Sequence, residues 1–349
     1  MTTPISMSDV SSEWLSAVLG SDVTLLRSEP VGAGVGFLGQ LSRVHISAAH
    51  LPETLIVKLP TTDPGGLMMG EMMGVWEREH RFYTEVASRI TAMRIPQCFY
   101  SSTNPYVLIL EDMSPAQSGD QVLGPTAQQA RDAVDAAARL HSAWFNTPEV
   151  HELTWMPDIS DPMTATVGEM FAIGWPIFLE RYESTLPPRV LRWCEEFAPR
   201  ITQWIGSYSA WPVTLCHGDY RLDNMFFGAD GTFGLIDWQM AMRAPSTTDL
   251  VYFIGTNLPT DMRREMQDEL IQRYVDGLVE GGVPSEWANV DKIVRGLTEG
   301  VLFYCTSFGA SILTFDPANE RGAALMDSLV RRAFSAADDL SAGHVFGFA

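Results

Sequence analysis

The sequence predicts an α+β fold in which a smaller, β-rich part precedes a larger, mainly α-helical one. Three observations carry that expectation. Short apolar and β-branched runs, punctuated by Gly, Pro and Asn, recur in residues 1–112. From Thr126 onward, apolar residues recur at helical spacing. One polar segment, Leu215 to Gln239 (LCHGDYRLDNMFFGADGTFGLIDWQ), interrupts the helical pattern with short strand-like runs at Pro212 to Cys216, Met225 to Phe227 and Phe233 to Ile236. At 349 residues the chain exceeds one average domain. Two lobes, 1–112 and 113–349, account for the change of pattern.

Composition narrows the partners. Hydrophobic residues make up 46%, enough for a sizeable core. The net charge of −20 argues against a nucleic-acid surface, which needs clustered Lys and Arg. Cys98, Cys194, Cys216 and Cys305 are widely spaced, with no CxxC pattern, and read as reduced core residues. The opening MTTPISMSDV has neither a basic segment nor an apolar core, so no signal peptide is expected. The uncharged run from Gly300 to Phe315 contains Thr306, Ser307 and Ser311 and is short for a bilayer; it reads as a buried helix. No membrane insertion and a cytoplasmic location are expected.

In chain order, Val10, Trp14, Ala17 and Val18 recur at helical spacing after Ser8-Asp9, with Gly20 as a stop. Strand-like runs follow at Val23 to Leu26, Leu41 to Ile46 and Leu55 to Leu59. The glycine run between the first two contains Gly34-x-Gly36-x-x-Gly39. In a dinucleotide-binding fold such a run opens a helix and precedes an acid about twenty residues on. Here it precedes a β-rich segment and leads towards Lys58. It therefore reads as a strand–glycine–strand hairpin, either a flexible tip or one whose amides cover phosphates. Lys58 is the one charge in LIVKLP, either an edge-strand lysine whose head reaches water or a phosphate-binding one. PTTDPGGLMMG, Pro60 to Gly70, reads as a loop. The next helix carries Trp76, Tyr83, Val86 or Ala87, and Ile90 on one face, with Glu79 beside the stripe. Ile95 to Ser101 and Tyr106 to Leu110 complete five antiparallel strands packed by one helix. Thr126 caps a helix reaching to about Asn146, in which His141 reads as a core residue. Met163, Met170, Trp155, Trp175 and Phe178 either line an apolar pocket or pack helices.

In the polar segment, a hairpin around Gly-Ala-Asp-Gly places Asn224, before its first strand, near Asp237, after its second. Two such oxygen donors suit a shared Mg²⁺. Asp219, on the adjoining loop, is placed to orient an attacking hydroxyl. This is the division of labour of phosphoryl transfer.

These residues carry a resemblance. HGDYRLDN, residues 217–224, matches the kinase catalytic-loop pattern H-x-D-x-x-x-x-N, and Ile-Asp-Trp stands where protein kinases have D-F-G. With the following DLVYF, the segment resembles the aminoglycoside phosphotransferase and choline kinase superfamily, most of all its ecdysteroid kinase-like and acyl-CoA dehydrogenase-associated kinase branches. The resemblance implies a bilobal protein kinase-like fold, use of ATP and Mg²⁺, and a small-molecule hydroxyl as acceptor. It implies Gly34, Gly36, Gly39 and Lys58 at the phosphates, and Glu79 as the partner of Lys58, with Glu77, Glu85 and Glu71 as competitors. It also implies a hinge at Glu111 and Met113 that holds adenine through backbone groups, Asp219 as catalytic carboxylate, and Asn224 and Asp237 as metal ligands. Arg221 either neutralises the transferred phosphoryl or pairs with Asp223, and Asp249 caps the next helix and braces the loop. The short span from Asp237 to Asp249, with no A-P-E element, leaves no room for a peptide-binding segment. A pseudokinase scaffold is the rival reading, opposed by the complete set of residues. The branches imply an apolar, steroid-like or hydroxyacyl acceptor; an aminoglycoside would suit the acidic charge.

Overall fold

The computed structural model describes residues 3–32, 38–314 and 318–349. The chain divides into two compact units, Met1–Gln117 with Gly228–Met240, and Ser118–Phe227 with Ala241–Ala349. It is a mixed α+β protein, as the sequence predicts.

The first unit begins with helix α1 (Ser12–Leu19), capped by the Ser11 hydroxyl accepting the Trp14 amide and ended by Gly20 at φ +64°. The expected start at Ser8-Asp9 is instead a 3-10 turn, Met7–Asp9, because the Asp9 carboxylate folds back onto the Ser6 amide at 2.9 Å. Strands β1 (Val23–Pro30), β2 (Gly39–Ala48), β3 (Thr54–Pro60), β4 (Cys98–Thr103) and β5 (Tyr106–Glu111) form a five-stranded antiparallel sheet in the order β1-β2-β3-β5-β4. Side chains alternate across a strand. Leu55, Val57 and Leu59 of β3 therefore bury against Trp14 and Leu15 of α1, with Val44, Val107 and Ile109. Lys58 necessarily projects from the opposite face.

The segment expected to be a loop from Pro60 to Gly70 contains helix α2 (Pro64–Met73). Asp63 accepts the Gly66 amide at 2.7 Å and Pro64 occupies the first turn. Asp-Pro is thus a helix start rather than loop punctuation, since proline's missing N–H costs nothing there. Helix α3 (Val75–Arg81) follows and continues through a π turn at Phe82–Val86 into a 3-10 turn at Ala87–Arg89. The strand Phe233–Leu235 belongs to this unit; the Arg94 amide donates to the Phe233 carbonyl at 2.9 Å and the Leu235 amide to the Arg94 carbonyl at 3.1 Å.

The second unit is mainly helical. Its helices are α4 (Ala127–Trp144), α5 (Pro148–Glu152), α6 (Pro162–Tyr182), α7 (Pro188–Phe197), α8 (Ile201–Tyr208), α9 (Thr247–Tyr252), α10 (Thr260–Glu280), α11 (Val290–Ser311) and α12 (Glu320–Asp339). Thr126 caps α4 in a reciprocal box with Gln129. α4 packs along α10, and α6 along α11. The strand Val213–Cys216 pairs antiparallel with Met242–Pro245. α11 covers most of the uncharged run from Gly300 onward as a largely buried helix, and no helix among the described residues is long and apolar enough to cross a membrane. The cysteines are free thiols.

Candidate active site

In the first unit the structure answers the question that Lys58 posed. It is 4% exposed, on a strand flanked by β2 and β5, and not at an edge. Its ammonium lies 2.7 Å from Glu79 Oε2 and 2.7 Å from Asp237 Oδ1, with Gln239 Oε1 at 3.4 Å. Glu79, on α3, is fully buried and also accepts the Tyr106 hydroxyl at 2.6 Å. Glu85 is engaged elsewhere, by Arg81 at 2.7 Å, and does not compete. Burial by itself lowers the Lys58 pKa, but the carboxylates of Asp237 and Glu79 outweigh it and hold the lysine above its ordinary value, fully charged. Burial, with the Asp237 charge adding to it, pushes Glu79 upward against the pull of Lys58.

Asp237 is held for this contact by its surroundings. Trp238 is buried and stacks on Phe82, centroids 4.1 Å apart, and Arg78 donates to the Gln239 carbonyl at 3.1 Å. Asp237 itself has φ +64°, a left-handed conformation unusual outside glycine and common at functional turns.

In the second unit the loop from His217 to Asn224 alternates. Tyr220, Leu222 and Asn224 are buried, whereas Asp219, Arg221 and Asp223 are part-exposed. The Tyr220 hydroxyl donates to the Ala133 carbonyl of α4 at 2.7 Å, anchoring the inward side. The Asp219 carboxylate accepts Arg221 Nε at 3.0 Å and Asn224 Nδ2 at 3.1 Å through the same oxygen, Oδ2. Arg221 also stands 3.7 Å from Asp223 Oδ2, the pairing that the sequence left open for it.

Asp249, the third residue of α9, grips the start of the loop. It accepts the His217 amide at 2.6 Å and the Gly218 amide at 2.9 Å. Both amides point at one carboxylate because Gly218 takes φ +80°, which only glycine adopts without strain. Asp249 braces the loop as expected but does not cap α9, whose N-cap is Ser246. Behind it, His141 Nε2 lies 3.2 Å from Asp249 Oδ2 and Nδ1 lies 2.6 Å from the Tyr274 hydroxyl. Burial alone raises the Asp249 pKa; the His141 hydrogen bond and the histidine charges reverse this, holding it below the ordinary aspartate value. Ligand atoms of His141, Cys216 and Asp249 lie within 4.8 Å of one another. Burial drives the Cys216 thiol well above its ordinary pKa, so it stays protonated, and His141 and Asp249 are already engaged. In the structure His141 and Asp249 of this trio act as a brace on the loop.

The remaining expected residues divide. Gly39 starts β2, where an added Cβ would press on the Leu59 carbonyl at 3.3 Å and on the Lys58 stem at 3.5 Å. Gly34 and Gly36 lie outside the described residues. The Glu111 side chain is held by Arg94 and by the Gln97 amide, and the Met113 carbonyl accepts the Ala116 amide at 3.0 Å. Tyr106 and Gln239 escape sequence reasoning. Tyr106 reads as an ordinary strand aromatic, and the only signal for Gln239 is a polar residue directly after Asp237-Trp238.

In the first unit Asp237 keeps a part-exposed carboxylate; in the second, Asn224 spends its N–H groups on the Asp219 carbonyl and carboxylate, which leaves its amide oxygen as an acceptor. Hard oxygen donors of this kind fit Mg²⁺.

The family match and the fold define the class: a small-molecule kinase with a kinase-like fold. The profile described as "Ecdysteroid kinase-like family" matches residues 33–282, well over half of the chain, and the chain belongs to that family. No curated protein matches the sequence. Among solved structures, the spectinomycin phosphotransferase APH(9)-Ia, in complex with ADP and spectinomycin, aligns with TM-score 0.58 and 14% identity, over 97% of this chain and 100% of its own. Choline kinase LicA from Streptococcus pneumoniae aligns with TM-score 0.55 and 14% identity, over 94% and 97%. Choline kinase from Cryptosporidium parvum Iowa II aligns with TM-score 0.56 and 8% identity, over 97% and 91%. At these identities the likeness is one of fold.

Proposed function

We propose that the protein transfers the γ-phosphoryl group of ATP to a hydroxyl of a small, apolar molecule, steroid-like or hydroxyacyl. The observation that carries this reading is the buried Lys58 ammonium fixed by Glu79 and Asp237, each at 2.7 Å. A desolvated cation held at two points is preorganised to meet phosphate charge without further reorganisation. The bound ADP in the spectinomycin enzyme supports nucleotide use within the fold.

In this reading Lys58 orients the α- and β-phosphates, Gly34, Gly36 and Gly39 cover them with backbone amides, and Glu111 and Met113 receive adenine by carbonyl and amide. Asp237 and Asn224 hold Mg²⁺, which neutralises phosphate charge when bound. Asp219 accepts a hydrogen bond from the acceptor hydroxyl and takes its proton as the oxygen attacks phosphorus. Arg221 and Asn224 hold its Oδ2, and the Tyr252 hydroxyl is a further hydrogen-bond partner of the carboxylate. Arg221, fixed between Asp219 and Asp223, neutralises the transferred phosphoryl. The absence of a membrane-crossing helix among the described residues is compatible with a cytoplasmic enzyme.

A panel of hydroxylated metabolites, steroids, acyl thioesters and aminoglycosides, incubated with MgATP and read by mass spectrometry, tests this. Phosphate gain on an apolar alcohol is expected. Gain only on aminoglycosides overturns the acceptor class, and tight ATP binding with no gain on any compound favours a scaffold.

A further inference from the structure

The loop from His217 to Asn224 is gripped at two places. Asp249 holds its start. Its middle is held differently: the Leu222 amide is shared by two side-chain oxygens, Asn257 Oδ1 at 2.8 Å and Gln121 Oε1 at 3.0 Å. The Gln121 amide in turn donates to Asp223 Oδ1 at 2.8 Å. Gly119 brings this segment close enough that any Cβ there would lie 2.6 Å from the Leu222 carbonyl oxygen.

Gln121 and Asn257 come from segments distant in sequence, and one residue joins them. Arg332 of α12 is 8% exposed, and its guanidinium donates to the carbonyls of Gln121 at 2.6 Å, Val122 at 2.8 Å and Asn257 at 2.9 Å, with Thr256 at 3.4 Å. The last two carbonyls lie at the end of a π turn, Phe253–Asn257, that follows α9. That turn interrupts the regular helical ladder, leaves the carbonyls to seek outside donors and turns Asn257 onto the loop.

Arg332 differs from its neighbours. Arg189, Arg263 and Arg264 pair with Asp338 or Asp339, and Arg321 with Asp120 and Asp223. Among the described residues Arg332 hydrogen-bonds backbone carbonyls and no carboxylate; burial lowers its pKa against the more distant charge of Asp120. A desolvated guanidinium with no carboxylate in direct contact is a poor source of stability, because an apolar side chain packs there at lower electrostatic cost. What it supplies is geometry: a planar fork that fixes four carbonyls, and through them Gln121 and Asn257.

We propose that Arg332 is a positioning residue for the catalytic loop, setting the Leu222–Asp223 backbone and thereby the placement of Asp219 and Arg221. This rests on the reading of Asp219 given above, but its decisive test does not need turnover. Amide exchange is resolved at residues 217–225 in the full chain without nucleotide, for the wild type, Arg332→Leu and Arg332→Lys. In Arg332→Leu the Leu222 amide exchanges at least about tenfold faster while the Asp249-held His217 and Gly218 amides keep their rates. Arg332→Lys recovers part of the protection. Basal hydrolysis of MgATP adds the kinetic split: kcat falls about tenfold with KM for ATP within about twofold. An unchanged Leu222 rate overturns the proposal. So does a uniform acceleration across α4 and α11, which marks a merely structural role. Failure of phosphoryl transfer in the wild type leaves the exchange result standing, so the two readings fail separately.

Discussion

The two charged clusters are built in opposite ways. Around Lys58 one ammonium is set between two carboxylates inside a β-sheet unit, so both carboxylates depend on the lysine being charged. Around Asp219 the loop is fixed mainly by its backbone amides, which Asp249, Gln121 and Asn257 accept. The first construction gives an ammonium with a defined position and a high pKa; the second leaves a carboxylate part-exposed and available for chemistry. A buried ammonium needs counter-charge to stay ionised, whereas the part-exposed Asp219 carboxylate is placed through a braced backbone with the Arg221 guanidinium beside it.

The largest expected break is Lys58→Met. It leaves Glu79 buried without its cation, a loss of about 3–5 kcal/mol. Urea denaturation checks the stability, and phosphoryl transfer should disappear with it. Lys58→Met combined with Glu79→Leu should regain part of the stability and none of the turnover, because the fully buried Glu79 charge is gone while the part-exposed Asp237 still lacks its lysine and the phosphate contact is not restored. Recovery of turnover in the double variant contradicts the role given to Lys58.

Next comes Asp249→Asn. One amide oxygen replaces a carboxylate that receives two backbone N–H groups and His141, costing about 2 kcal/mol in chemical denaturation. Amide exchange at His217 and Gly218 should accelerate while the Lys58 cluster is untouched.

A smaller, pH-dependent effect follows from the same residue. Asp249 has a depressed pKa in the folded protein, so its contribution is fully present above the unfolded aspartate value of about 4 and is lost as pH falls through its lower folded value. The wild type should lose stability below about pH 4 more steeply than Asp249→Asn. Equal acid slopes refute the assignment.

The mildest change is Tyr106→Phe, which removes the hydroxyl on Glu79 Oε2 but leaves the Lys58 bond, for about 1 kcal/mol by thermal or urea unfolding.

How much of this was legible follows from the kind of contact. Lys58 stood out as one charge in an apolar strand, and the helical register already put Glu79 beside the stripe. The loop announced itself by the pattern H-x-D-x-x-x-x-N over residues 217–224, and the structure adds the alternation of buried Tyr220 and Leu222 with part-exposed Asp219, Arg221 and Asp223. The five strands were readable from their β-branched runs, with ends displaced by a few residues. α2 was missed because Asp63-Pro64-Gly65-Gly66 carries both loop and helix-start signals, and the cap decides only once the Asp63 carboxylate meets the Gly66 amide. Arg332 was invisible for a different reason. Its acceptors are backbone carbonyls, which every residue possesses, so no pattern of side chains marks them. Tyr106 and Gln239 were unreadable because their partners come from elements far away in sequence.

The central claim is that Asp219 prepares a small-molecule hydroxyl for attack on an ATP phosphate fixed by Lys58. Its most direct test is Asp219→Asn, measured by transfer of labelled γ-phosphate to a hydroxylated acceptor, with MgATP affinity followed in parallel by calorimetry. The expected result is loss of transfer by at least about a hundredfold with nucleotide affinity retained. Transfer at the wild-type rate by Asp219→Asn would contradict the account.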